Sequence, residues 1–204
     1  MVNIRRKQHH IVYIPGLGDS NGIRGQRFAV WLWRTYGVFG HCHPVIWADD
    51  QPFDDKLKGV FDEVDGLLAD GHIVSIIAAS AGASMALHAY AARTHKISGV
   101  VLICGELADA KKIAPKYFDE NPAFKTSMER LPKTLQQLTP KDRARIMSFH
   151  PLYDETVDIK DTVLDGARMY TSISFGHSVT IGLALTIDFY ILMWFLLRQT
   201  RQTR

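Results

Sequence analysis

Cysteine is scarce. Cys42 and Cys104 are the only two in 204 residues, too few for a multi-bridge disulfide framework, and each lies in an apolar run that suits a small buried thiol. A reducing compartment fits, so a cytoplasmic location is the expectation. A dense basic stripe is also missing: the net charge is only +3, and the stretch 105–145, with nine basic and six acidic residues, accounts for that whole excess. Nucleic acid is therefore not an expected partner. Near the N-terminus Arg5, Arg6 and Lys7 precede an apolar run of just four residues, Ile11 to Ile14, that leads into Pro-Gly. A secretory h-region needs about 7–15, so export by that route is not expected.

Nucleotide-binding fingerprints fail as well. Gly16-x-Gly18 follows an apolar run, but Asn21 stands where a dinucleotide-binding turn needs its third glycine, and the nearest acids, Asp49 and Asp50, come too late. No G-K-[ST] follows the glycines. No cofactor is expected. The pairs His9-His10 and His41-x-His43 could meet, but no cysteine or carboxylate at ligand spacing reinforces them, so no metal is expected either. The other histidines, His72, His88 and His95, read with these pairs as surface or helix residues.

What the chain does have is enough apolar residue to build a core, 47% against 22% charged, in a length that suits one domain spanning 1–204. Six short runs rich in β-branched residues read as strands: 11–14, 45–48, 73–79, 97–104, 145–149 and 168–175. They are apolar almost throughout, which means burial on both faces, and their spacing leaves room for crossover helices. The expected fold class is α/β, a doubly wound, mainly parallel six-stranded sheet with helices on both faces. Helices are predicted at 24–36, 55–70, 82–93 and 178–198, the second ending at the Asp70-Gly71 stop signal.

Two stretches stand apart. Residues 105–145 hold four of the eight prolines, Pro115, Pro122, Pro132 and Pro140, which predicts short helices and turns outside the main layers, a small lid-like excursion. The second is Ile181 to Leu197, whose only charge is Asp188. Its ten Leu, Ile and Phe residues favour membrane insertion by roughly 3–6 kcal/mol, while Asp188 costs about 2.5–3.5, so energy does not decide. Length does: 17 residues span about 25 Å against a hydrocarbon layer of about 30 Å. The expectation is a helix packed on the sheet, with a membrane-attached protein as the alternative.

The strongest local signal lies at 73–91, where the strand IVSIIAA runs into Ser80-Ala81-Gly82 and then an alanine-rich helix. A serine on so sharp a strand-to-helix turn presents its hydroxyl outward, and the positions two before and two after it must be tiny for strand and helix to approach. Ala78 and Gly82 meet that need. The text is G-x-S-x-G with alanine in the first place.

At these residues the chain resembles the α/β-hydrolase family, from Ile11 to about Leu197, as a minimal member that starts at the family's third strand. The resemblance implies a triad in the order Ser, acid, His. Ser80 follows the third strand, Asp154 in HPLYDETV the fifth, and His177 in SFGHS the sixth. It also implies an oxyanion hole from the backbone amides of Ala81 and, in the turn Pro15-Gly16-Leu17-Gly18-Asp19, of Leu17; Pro15 stands where many members carry His.

Rivals remain at this point. Glu155, Asp158 and Asp161 crowd Asp154, Glu106 follows the fourth strand, from which some hydrolases supply the acid, and His150 precedes the proposed acid and reads as structural. The implied activity is that of a serine hydrolase, a carboxylesterase or a thioester- or amide-cleaving relative, acting on a small molecule. Tyr117, Phe118, Phe124 and Met128 with Trp47 and the turn from Asp19 to Gly25 are the expected substrate-contacting regions. A hydrolase-fold module that binds without catalysis is the alternative from another class.

Overall fold

The computed structural model describes residues 7–18, 20–107 and 110–202. Six strands, β1 (His9–Ile14), β2 (Phe39–Cys42), β3 (Ile73–Ala79), β4 (Ile97–Ile103), β5 (Ile146–His150) and β6 (Arg168–Thr171), form one all-parallel sheet. Their spatial order is β2-β1-β3-β4-β5-β6. The sheet is buried on both sides because alternate strand residues serve two separate apolar layers. Val12, Ile14, Ile76, Ala78, Val100 and Leu102 face one layer; Ile11, Tyr13, Ile77, Ala79, Val101 and Ile103 face the other. None of the twelve is more than 1% exposed, which explains why the strands read as continuous apolar runs rather than as alternation.

On the first face lie α2 (Phe53–Ala69), α3 (Gly82–Ala91) and α5 (Pro122–Gln137); on the second lie α1 (Ser20–Leu32), α7 (His177–Leu185) and α8 (Phe189–Gln202). Two short helices, α4 (Pro115–Asp119) and α6 (Pro140–Arg143), complete the chain. The second face is closed by α8, where Phe189, Leu192, Phe195 and Leu196 are all but fully buried, each contributing about 1.5–3 kcal/mol of transfer free energy. Trp33, just past the end of α1, ties it to α7 and α8: its ring stacks on Phe189 at 4.3 Å and its indole N–H donates to the Leu185 carbonyl at 3.0 Å. Going outward from β1, the chain first adds β2 on one side and then β3 on the other. That reversal makes a crevice at the carboxyl ends of β1 and β3, the place where open parallel sheets bind ligands.

Five expectations need correction. The second strand is Phe39–Cys42, paired with β1 in the register His10 to Phe39, and not 45–48. A strand spelled Phe-Gly-His-Cys carries little apolar signal, whereas Val45 and Trp47 are apolar because they enter the core as loop residues, Trp47 edge-on to Phe124 at 5.6 Å. The sixth strand stops at Thr171, and beyond it a single bridge pairs Phe175 with Tyr153. The run 178–198 is two helices bent by 62°. The break is made by polar groups: the Thr186 hydroxyl donates to the Gly182 carbonyl, and the Asp188 carboxylate accepts from the Ser172 hydroxyl, which also gives the segment's lone charge a partner. No single helix among the described residues is long and apolar enough to cross a membrane. Finally, α5 belongs to the main layers. It buries Phe124, Met128 and Leu131, and its Ser127 hydroxyl donates to Ser84 on α3, so only the segment before it stands over the crevice. His9 and His10, read as surface or helix residues, lie in β1 and are each only 7% exposed.

Candidate active site

Ser80 is the residue after β3, held with φ of +50°, a conformation costly for any side chain with a Cβ. β4 and the start of α3 hold it: the Ser80 amide donates to the Ile103 carbonyl at 2.9 Å while its own carbonyl accepts from the Ala83 amide at 3.0 Å. The helix that follows can begin only because residue 82 has no side chain. A Cβ there would lie 2.5 Å from the Ile14 carbonyl oxygen and 2.6 Å from that of Pro15, backbone atoms that cannot step aside. Gly82→Ala is therefore expected to destabilise the fold by about 1–3 kcal/mol, read as a lower midpoint in urea unfolding; a midpoint equal to wild type would contradict this account of the turn.

The loops after β5 and β6 bring the other two residues together. They stay paired beyond the strands, through Leu152 N–H to Ser174 carbonyl (3.0 Å), the Tyr153–Phe175 bridge, and Gly176 N–H to Tyr153 carbonyl (2.8 Å). Asp154 and His177 are thereby set side by side. His177 Nδ1 lies 2.9 Å from Oδ2 and 3.1 Å from Oδ1 of Asp154. An ionised carboxylate only accepts, so Nδ1 carries the proton and Nε2 keeps a free lone pair. The Asp154 side chain is wholly buried, and its Oδ1 also accepts from the amides of Thr156 (2.8 Å) and Val157 (3.0 Å), which fixes its orientation. Glu155 holds the same histidine from behind: both its oxygens accept from the His177 amide, at 3.0 and 3.2 Å. Its neighbourhood to Asp154 was legible, but its grip on the His177 backbone was not.

Ser80 and His177 line one cavity of about 330 Å³ with Gly16, Leu17, Gln26 and the inner side of α7. Ser80 also lines a second, of about 230 Å³, with Leu17, Ala81, Ile113, Tyr117, Phe124 and Val157. Leu17 thus borders both, and among the described residues the amides of Leu17 and Ala81 have no hydrogen-bond partner. Asp19 lies outside the described residues. Glu106 stands in the wall of the second cavity, while the carboxylate against His177 is Asp154. His150 is buried and bonded through Nδ1 to the Pro151 carbonyl at 3.0 Å. Of the aromatics expected near substrate, Tyr117 and Phe124 line the second cavity, whereas Phe118 and Met128 line another one between α4 and α5.

One group among the described residues gathers possible metal ligands: Cys104, Asp154 and His177, with ligand atoms within 4.8 Å of one another. Two of the three are engaged with each other, since His177 Nδ1 donates to the Asp154 carboxylate. Burial, with the Asp154 charge beside it, pushes the Cys104 thiol well above its ordinary range. The two histidine pairs do meet, far from this site: His10 Nδ1 is 2.7 Å from His41 Nε2, His10 stacks on His72 at 4.1 Å, and Glu63 lies 2.5 Å from His43 Nδ1.

The parallel sheet and the helices on it have the α/β-hydrolase fold, and solved structures bear this out. The chain matches one of the metagenome-derived lipolytic enzymes LipS and LipT at TM-score 0.66 and 12% identity, over 97% of this chain and 94% of that one. A carboxylesterase of Nitrososphaera gargenis matches at TM-score 0.67 and 14% identity, covering 96% and 92%. Est1E from Butyrivibrio proteoclasticus matches at 0.65 and 15%, covering 98% and 91%. No protein-family model and no curated protein sequence matches the chain.

Proposed function

We propose that this protein is a serine hydrolase that cleaves a carboxylic ester through an acyl-enzyme on Ser80. A thioester or amide would pass through the same steps. The observation that carries this reading is that His177, backed by the buried Asp154 carboxylate, lines the same cavity as the strained Ser80. A serine hydroxyl is a weak nucleophile at neutral pH, so a base must take its proton during attack. His177 Nε2 is the free lone pair in reach of that cavity. As the Ser80 Oγ–carbonyl carbon bond forms, the proton passes to Nε2, and the carbonyl oxygen, now anionic, takes the amides of Leu17 and Ala81, each worth about 3–4 kcal/mol. The bond to the alcohol oxygen then breaks, and that oxygen leaves with the proton from Nε2. Water repeats the sequence on the acyl-enzyme, releasing the acid. Asp154 keeps the proton on Nδ1 throughout and stabilises the imidazolium.

A fluorophosphonate probe tests the reading. Wild type is expected to label on one residue and to hydrolyse p-nitrophenyl esters, while Ser80→Ala does neither yet keeps the wild-type circular dichroism spectrum. A folded wild type that neither labels nor turns over esters would leave a binding module in place of an enzyme.

A further inference from the structure

The two faces of the sheet differ in how their helices are charged. On the first face the signs are mixed, α2 and α5 together holding six acidic and five basic residues. The second face is basic. Residues 20–36, which are α1 and the turn after it, carry Arg24, Arg27 and Arg34 and no acid, and 177–202, which include α7 and α8, carry Arg198 and Arg201 against Asp188 alone. The Asp188 carboxylate is already bonded to the Ser172 hydroxyl. Cations elsewhere are matched, Arg93 with Asp65, Arg130 with Asp54 and Lys56 with Asp49, whereas among the described residues no carboxylate pairs with Arg24, Arg27, Arg34 or Arg198.

The same layer leaves large apolar side chains in solvent. On α8 the exposed residues Tyr190, Trp194 and Leu197 share one side of the helix, at spacings of four and three. On α1 the exposed Phe28 and Trp31 rings stack at 5.9 Å, and Tyr36 links the two helices, edge-on to Phe189 at 5.4 Å. Guanidinium groups cover both tryptophans: Arg34 lies 3.6 Å from the Trp31 ring centre, and Arg198 and Arg168 lie 4.4 and 5.4 Å from that of Trp194. Tryptophan and tyrosine flanked by arginine suit a membrane–water interface, with the rings at headgroup level and the cations against phosphate. A second copy of the chain suits it less, because a two-fold interface sets the same patch against itself, and this one would meet arginine with arginine. We infer that the outer side of α1 and α8 docks on an anionic phospholipid surface. The inner side of α8 is committed to the core through Phe189, Leu192, Phe195 and Leu196, so the helix lies on the bilayer and does not cross it.

Sedimentation of the full chain with vesicles tests this. Wild type is expected to pellet with phosphatidylcholine vesicles containing about 30% phosphatidylserine, to stay in solution with phosphatidylcholine alone, and to be released at about 0.5 M salt, where charge is screened within a few ångströms. Arg34→Glu with Arg198→Glu should weaken partition by about 25-fold or more, about fivefold for each cation removed. Lys58→Glu with Lys133→Glu makes the same change in net charge on the first face, away from the lipid, and should stay within about twofold of wild type. All four positions are exposed, and equal urea midpoints check that the variants fold. Fluorescence gives a second readout. Of the four tryptophans, Trp33 and Trp47 are 1% and 3% exposed while Trp31 and Trp194 are 49% and 50% exposed, so brominated lipid should quench wild type and not Trp31→Phe with Trp194→Phe. Folded wild type that stays in solution with anionic vesicles would overturn the inference. Equal losses from both charge-reversed pairs would reduce binding to net charge and overturn the face. A wild-type dimer in gel filtration that Trp31→Ser with Trp194→Ser dissociates would give the face to a second copy. None of these measurements needs turnover, so the outcome is independent of the serine-hydrolase reading.

Discussion

Asp154→Asn is expected to lower kcat for p-nitrophenyl butyrate by about 10⁴ while KM changes little. The size comes from the tautomer. An asparagine can keep the shape of the contact, but it brings an NH2 group able to face Nδ1, which then becomes an acceptor and shifts the ring proton to Nε2, the atom that must be bare to deprotonate Ser80; such a swap costs about 10⁴ in kcat elsewhere among triads. The effect is confined to the chemical step because Asp154 is wholly buried behind His177 and lines neither cavity. Its other partners, the amides of Thr156 and Val157 on Oδ1, can still be satisfied by the asparagine carbonyl, so the fold should survive. Unchanged urea unfolding together with a drop of less than tenfold would refute the role given to Asp154. Glu106→Gln in parallel separates the two carboxylates: its kcat should stay near wild type.

Lowering the pH from 7 to 4.5 is expected to cost this protein several kcal/mol of stability, most of it lost above the range in which ordinary carboxylates titrate. The cause is the histidine cluster at the β1–β2 edge. Burial, with His10 beside it, lowers His9 from 6.5 to about 4; burial, then His72 and His41, lowers His10 to about 4, only partly opposed by Asp70. Both are neutral when folded and would bind a proton near pH 6.5 when unfolded. The stabilising difference is therefore complete above pH 6.5 and is lost as pH falls from there toward 4. For His9 alone, bonded through Nε2 to Ser75 at 2.8 Å and 7% exposed, the loss amounts to about 3 kcal/mol at pH 4. Urea midpoints measured at pH 7 and 4.5 check this. A His9→Gln, His10→Gln variant should show a much flatter dependence, and a wild-type midpoint that holds at pH 4.5 would count against it.

That cluster also shows where the sequence stopped being readable. His9 and His10 sit next to each other in a strand, and only the pairing of β1 with β2 and β3 brings His41 and His72 against His10 and Ser75 against His9. The strand containing His41 is itself the one that periodicity missed, because its two apolar neighbours, Val45 and Trp47, carry a stronger signal from a loop. By contrast the elbow was legible: tiny residues flanking a serine between an apolar run and an alanine-rich helix have few other uses. Asp154 and His177 were named from a resemblance, and what brings them together, a ladder of backbone bonds continuing past β5 and β6, involves no particular side chain and so leaves no mark in the text. The bend at Thr186 to Asp188 was hidden for a related reason. Nothing there is a helix breaker in its own right; the break depends on Ser172, which is distant in sequence.

The sheet narrows from seven residues in β3 and β4 to four in β2 and β6 at its margins. An unpaired strand edge is a template for the strand of another molecule, and its reach grows with its length. Here the long central strands, which have the composition of an amyloid-forming segment, are the ones flanked on both sides, while the margins offer only a few rungs and carry His41 on one and Arg168 on the other. The taper thus leaves only short strand edges for another molecule to pair with, and the long central strands stay covered as long as the shorter outer ones remain in place.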